Sequence, residues 1–215
     1  MVSGGPPRLL KWSAADDPNQ PPGRDPSKDS VLNLMEILRS MSVQEFDKEF
    51  GSIHRSIFSR DGIDVRPFVP IEWAMVLVPF GCNMEERDFR GLMLAAEAHG
   101  DREIIVADAE TIQPSEAAVV IEASFMAFET LKFRPGANLA IMDIHLFGRS
   151  GRWGCICAAS HDDVAIVGGD SSFMARFLQA VGGIAVLRGR FLEFATSQWS
   201  VGEDVRSRLL GMVGW

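Results

Sequence analysis

The sequence predicts an α+β fold: a mostly antiparallel sheet with a C-terminal β-meander, an N-terminal helical hairpin, and helices packed on the sheet. Three observations lead there. Residues Asn138 to Leu178 alternate short apolar runs with turn clusters at Gly148-Arg149-Ser150-Gly151 and Ser160-His161-Asp162-Asp163, the punctuation of three antiparallel strands feeding a helix. Apolar residues recur at helical spacing after Asp29-Ser30 and again after Ser42. Finally, 215 residues with 47% hydrophobic content can bury a substantial core as one domain.

Residues 1–28 hold six of the chain's eleven prolines together with Gly, Asp, Asn and Gln. Such a segment cannot offset the entropy of ordering it, so it is expected to be a flexible tail, with Leu9, Leu10 and Trp12 as a small apolar cluster. Residues 29–215 are expected to form the single α+β domain.

The first helix is expected from the Asp29-Ser30 cap through Val31, Leu34, Met35, Leu38 and Met41. Ser42-Val43-Gln44-Glu45 is a capping box that opens a second, with Val43, Phe46, Phe50, Ile53 and Ile57 on one stripe. Together they read as the helical hairpin. His54 lies beside the stripe and reads as a surface or boundary residue. Trp73 to Val78 is a buried-strand run ended by Pro79-Phe80-Gly81.

Acidic residues then open a helix at Met84-Glu85-Glu86-Arg87-Asp88, where the macrodipole favours them, and Gly100 ends it. Ile104 to Val106 is the next strand. Residues 117–131 fit either period, but the β-branched run Val119-Val120-Ile121 favours a strand bending near Met126. After the meander, a helix starts at Asp170 and ends at Gly182-Gly183. Ile184 to Leu187 reads as a strand, and Glu203 to Val213 as the closing helix.

The formal charge is −8, and the first 30 residues contribute none of it, since four basic and four acidic side chains balance there. The acidic remainder opposes a phosphate backbone, so no nucleic-acid partner is expected. Three cysteines, two of them two residues apart, do not make a disulfide framework and fit a reducing cytoplasm. No apolar run has signal-peptide length or reaches the roughly 18 residues of a membrane helix, so no membrane association is expected.

Candidate chemistry is sparse. Asp143, His145 and Phe147 share one face of a strand, an arrangement that could orient an imidazole as a base. Pairing Phe147 with Arg152 would put Cys155 and Cys157 on the opposite face, away from His145. Cys82 sits between a strand and a helix, where a helix N-terminus could activate a thiol, although it also reads as a core or loop cysteine. His161-Asp162-Asp163 supplies ligand types at no recognised metal spacing, so no metal and no cofactor is expected. Asp170 reads as a helix cap. Trp153 and Trp199, with Arg149 and Arg152, are the candidate partner-binding residues, because aromatics and arginines anchor interfaces; completing the core is the other reading of the tryptophans.

The run Phe147-Gly-Arg-Ser-Gly-Arg-Trp153-Gly154, followed by His161-Asp162-Asp163, Ala165 to Asp170 and Phe173-Met174, resembles a stretch in small uncharacterised bacterial proteins, among them immunity-type proteins that neutralise toxins. The resemblance spans residues 143–178. It implies a noncatalytic protein-binding domain and assigns no functional residue. The expected function is therefore binding of a protein partner or of a second copy. The alternative is a small hydrolase or transferase using Cys82 or the Asp143/His145 face, with His161 as a further candidate.

Overall fold

The computed structural model describes residues 38–61, 63, 65–109, 117–133 and 143–215. Among them, seven strands form one sheet: β1 (Arg39–Met41), β2 (Ala74–Pro79), β3 (Glu103–Asp108), β4 (Ala118–Glu122), β5 (Ile144–Phe147), β6 (Trp153–Ala158) and β7 (Val164–Gly169). Their order is β1-β4-β3-β5-β6-β7-β2, and every neighbouring pair is antiparallel. The helices are α1 (Val43–Glu49), α2 (Gly51–Ile57), α3 (Glu86–Glu97), α4 (Phe125–Lys132), α5 (Ser171–Ala180), α6 (Ile184–Ser197) and α7 (Glu203–Met212). The fold is α+β, and β5-β6-β7 is the expected meander.

Strand alternation sorts the core into two halves. Val76, Ile104, Leu146, Cys155 and Val167 face α3, α4 and α5 on one side of the sheet. Leu77, Ile105, Phe147, Ile156 and Ile166 face the other, where Phe50 between α1 and α2, Ile57 of α2, Phe58, Phe68 and Phe191 of α6 cover them. Because both faces are covered, the central strands read as continuous apolar runs with no polar alternation.

Several local expectations hold for identifiable reasons. Ser42 accepts from the Glu45 N–H while the Glu45 side chain takes the Ser42 N–H, closing the capping box. Asp170 caps α5 by accepting from the N–H groups of Ser172 and Phe173. Asp162 and Asp163, both at positive φ, turn the chain between β6 and β7.

Three expectations are corrected. The tail at 1–28 and most of the first arm of the helical hairpin lie outside the described residues, but that arm's end, Arg39–Met41, is strand paired with β4. The extended Ser42 cap requires the chain to enter α1 in β conformation, which excludes a helix running up to it. Residues 117–131 are not one bent strand: β4 stops at Glu122, and Ser124 caps α4 by accepting from the Ala127 N–H at 3.2 Å.

Ile184 to Leu187 is not a strand but the first turn of α6. Leu187, Phe191 and Phe194 are buried at helical spacing, a period visible only beyond a four-residue window. Gly182 and Gly183, at φ +93° and +95°, reverse the chain so that this helix begins beside the sheet.

Gly154 and Gly168 lie opposite each other on β6 and β7 and leave a bare patch of backbone. The rings of Phe58 and Phe68 rest directly on it; a Cβ on Gly154 would lie 2.7 Å from Ile57 and one on Gly168 would overlap the Phe68 ring. Gly168→Ala is expected to lower stability by about 1–3 kcal/mol through overpacking, read as a reduced urea midpoint at unchanged slope. An unchanged midpoint would show that Phe68 yields freely.

Candidate functional site

The central titratable feature is a pair of imidazoles between α2 and β5, one half-buried (His54) and one buried (His145). His54 Nε2 and His145 Nδ1 are 2.8 Å apart. His145 projects from the middle of β5 and is 8% exposed. Phe58 stacks flat on it, with centroids 4.0 Å apart, and Phe46, Phe58 and Phe147 surround His54. Burial pushes His54 down to about 4, with the Arg55 charge adding to the effect, and pushes His145 down to about 3, with His54 adding to it. Both rings are therefore neutral near pH 7, one donating to the other. This pairing was not expected from the sequence; a lone helical histidine carries no local sign of a partner 91 positions away.

The structure does not bring Asp143 and His145 together. Asp143 precedes β5, and its carboxylate accepts from the Ser160 N–H at 2.8 Å and from Ser160 Oγ at 2.5 Å. His161 Nδ1 lies 2.8 Å from the same Oγ. Here the hydroxyl, not the imidazole, is the central member, so the ring is not placed to carry the serine proton toward the carboxylate. That order is the reverse of a Ser-His-Asp relay. The trio ties the start of β5 to the turn after β6.

Cys82 lies in a single turn of 3-10 helix, Gly81–Asn83, ahead of α3, and is buried. A hydrogen bond with Cys157 and burial push its thiol up, away from the thiolate. The Cys157 thiol is raised too, first by its contact with Cys155. The registers Ile144↔Cys157 and Leu146↔Cys155 are two residues from the expected pairing. A shift of two preserves the faces, so both cysteines lie opposite the His145 side. All three thiols are expected to resist Ellman's reagent in the native fold and to react within seconds in denaturant. Fast native labelling at Cys82 would contradict the buried, protonated thiol.

Among the described residues, no three His, Cys, Asp or Glu side chains are grouped to hold a metal ion. No described helix is long and apolar enough to cross a membrane.

The two tryptophans do not offer a partner surface. Trp153 is 0% exposed, stacks on Phe173 and donates from Nε1 to Asp101 at 2.9 Å. Trp199 packs on Phe191 and donates to the His161 carbonyl. Arg149 is held by Glu49 and Glu103 over the Phe50 ring, and Arg152 pairs with Asp170. Burial corrects the expectation that Trp153 and Trp199 anchor a partner, while Arg149 and Arg152 remain about half exposed within their ion pairs.

Exposed large apolar side chains occur on several elements, among them Met126 and Phe133 at α4 and Ile184 and Val186 on α6, and three fall close together in the connection between α2 and β2. Val65 is 65% and Ile71 84% exposed, with Val69 beside them. The loop is pinned at its neck: Phe58 pairs with Phe68, the Ser59 N–H donates to the Pro67 carbonyl at 3.1 Å, and the Val69 N–H donates to the Ile57 carbonyl at 2.8 Å. An open groove of about 300 Å³ runs along it, lined by Arg55, Phe58, Arg60, Asp61, Arg66 and Val69. Arg66 donates to the Phe68 and Val69 carbonyls, which orient its guanidinium without neutralising it.

Comparison of the chain with protein-family models, with curated proteins and with solved structures finds no match to any of them.

Proposed function

We propose that this chain is a noncatalytic protein-binding domain that meets its partner through the loop between α2 and β2. The observation that carries the reading is the exposure of Val65, Val69 and Ile71 within seven residues of one another, in a connection whose arms are held together where Phe58 pairs with Phe68 and Val69 with Ile57. Exposed large apolar side chains close together mark surface that a partner can cover. The resemblance of residues 143–178 to immunity-type proteins points to the same class of role, although that stretch supplies strands and α5 to the core and leaves the contact surface to other residues. The hydrolase or transferase alternative gains no specific support, because Cys82, Asp143 and His145 occupy three separate environments.

The test is native mass spectrometry of the protein isolated gently from its own host, alongside an Ile71→Asp variant and a Cys82→Ala variant. The reading expects a discrete complex with one further chain or a second copy, lost in Ile71→Asp and kept in Cys82→Ala. A monomer that retains a small molecule, lost on Cys82→Ala, would overturn it in favour of an enzyme.

A further inference from the structure

We infer that the groove beside this loop takes an acidic segment of the partner, a stretch that carries carboxylates next to an apolar side chain. The inference rests on the protein-binding reading above and adds the chemistry of the partner. Among the described residues, three guanidinium groups, Arg55, Arg60 and Arg66, line the groove against one carboxylate, Asp61. Arg55 is paired with Asp47 at 2.5 Å, and Asp61 is engaged by Ser59 Oγ at 3.1 Å. Arg66 spends its hydrogen bonds on neutral carbonyls, and Arg60 has no ion pair with a described residue. Among the described lining residues, Arg60 and Arg66 thus leave an excess of positive charge, on a chain of net charge −8.

That contrast selects the ligand. Beyond about 10 Å at 0.1 M salt the chain's acidic excess is screened, so the nearest arginines decide what settles in the groove. Arginine forks bind carboxylates in fixed, bidentate geometry. Phe58 and Val69 supply the apolar part of the lining, so a carboxylate followed by an apolar side chain satisfies both kinds of lining residue. At about 300 Å³ and open to solvent, the groove is at the small end for an enclosed small-molecule site and suits a few residues of a longer chain lying across it.

The experiment is fluorescence anisotropy of the full-length protein with a labelled decapeptide alternating Glu and Leu, with peptides of alternating Lys and Leu and of alternating Ser and Leu as comparisons. Binding of the Glu peptide at least tenfold tighter than either comparison is expected. Arg60→Glu, a surface change that leaves the fold intact by circular dichroism, is expected to weaken it at least tenfold. Equal affinity for the Ser or Lys peptide, or no loss in Arg60→Glu, would overturn the proposal. So would displacement of the peptide by inorganic phosphate at matched charge concentration, because the groove would then be reading a lone anion. If the Glu peptide fails while Ile71→Asp still loses its host complex, the protein-binding reading stands and the acidic-segment inference falls.

Discussion

Between pH 6.5 and about 4 this protein is expected to lose stability steeply, through the histidine pair. Burial depresses both imidazoles in the fold, to about 4 for His54 and about 3 for His145, while the unfolded chain takes up protons near the ordinary value of 6.5. In that window the unfolded state binds more protons, so stability rises with pH and falls on acidification. Each histidine contributes a slope of up to about 1.4 kcal/mol per pH unit. Two such groups remove several kcal/mol by pH 4, comparable with the whole stability of about 5–15 kcal/mol of a typical domain.

Among the described residues no carboxylate offsets the pair, whose surroundings are Arg55 and the rings of Phe46, Phe58 and Phe147. Carboxylates whose values the fold lowers, such as Glu49 beside Arg39 and Asp162 beside Ser200, contribute stability that is lost only at lower pH. Asp163, raised by burial, works in the opposite sense and is relieved on acidification. Urea melts at half-unit pH steps, on the wild type and on a His54→Leu/His145→Leu double variant, separate these contributions. The double variant should show a nearly flat profile from pH 6.5 to 5. Persistence of the full slope would assign the acid sensitivity elsewhere.

Arg190→Met should be the most damaging single substitution away from the sheet. Asp88, in the first turn of α3, is 0% exposed, and Arg190 of α6 donates to both of its carboxylate oxygens. The pair joins helices 102 positions apart in the chain. Removing the arginine leaves a fully buried carboxylate without its counter-charge, a loss of about 3–5 kcal/mol. Glu85 is nearby but carries the same sign and cannot replace it. Replacing both partners, with Asp88→Leu and Arg190→Met together, is expected to recover most of that loss, because an apolar pair leaves no charge to desolvate. Chemical denaturation of the two variants gives the comparison. A double variant as unstable as the single one would show that packing, not the stranded charge, sets the cost.

The sequence alone specified the features that a short window contains. The capping box at Ser42, the Asp170 cap, the glycine pair at 182–183 and the meander's turn clusters each act through atoms a few positions apart, and each appears where the residues place it. The same locality explains the misreadings. Ile184 to Leu187 and the end of the 117–131 run are too short to distinguish a period of two from one of 3.6, and tertiary packing chose helix in both.

Tertiary structure alone decided the candidate site. The separation of Asp143 from His145, the Cys82 contact with Cys157, the meeting of His54 with His145 and the burial of Trp153 all depend on residues distant in the chain. So does the exposure of Val65 and Ile71, which look no different from core residues until the layers are assembled. Local hydrogen bonding and side-chain spacing set the elements. Which polar groups become paired, and which apolar ones remain uncovered, follows from how strands and helices tens of residues apart share the volume above and below one sheet.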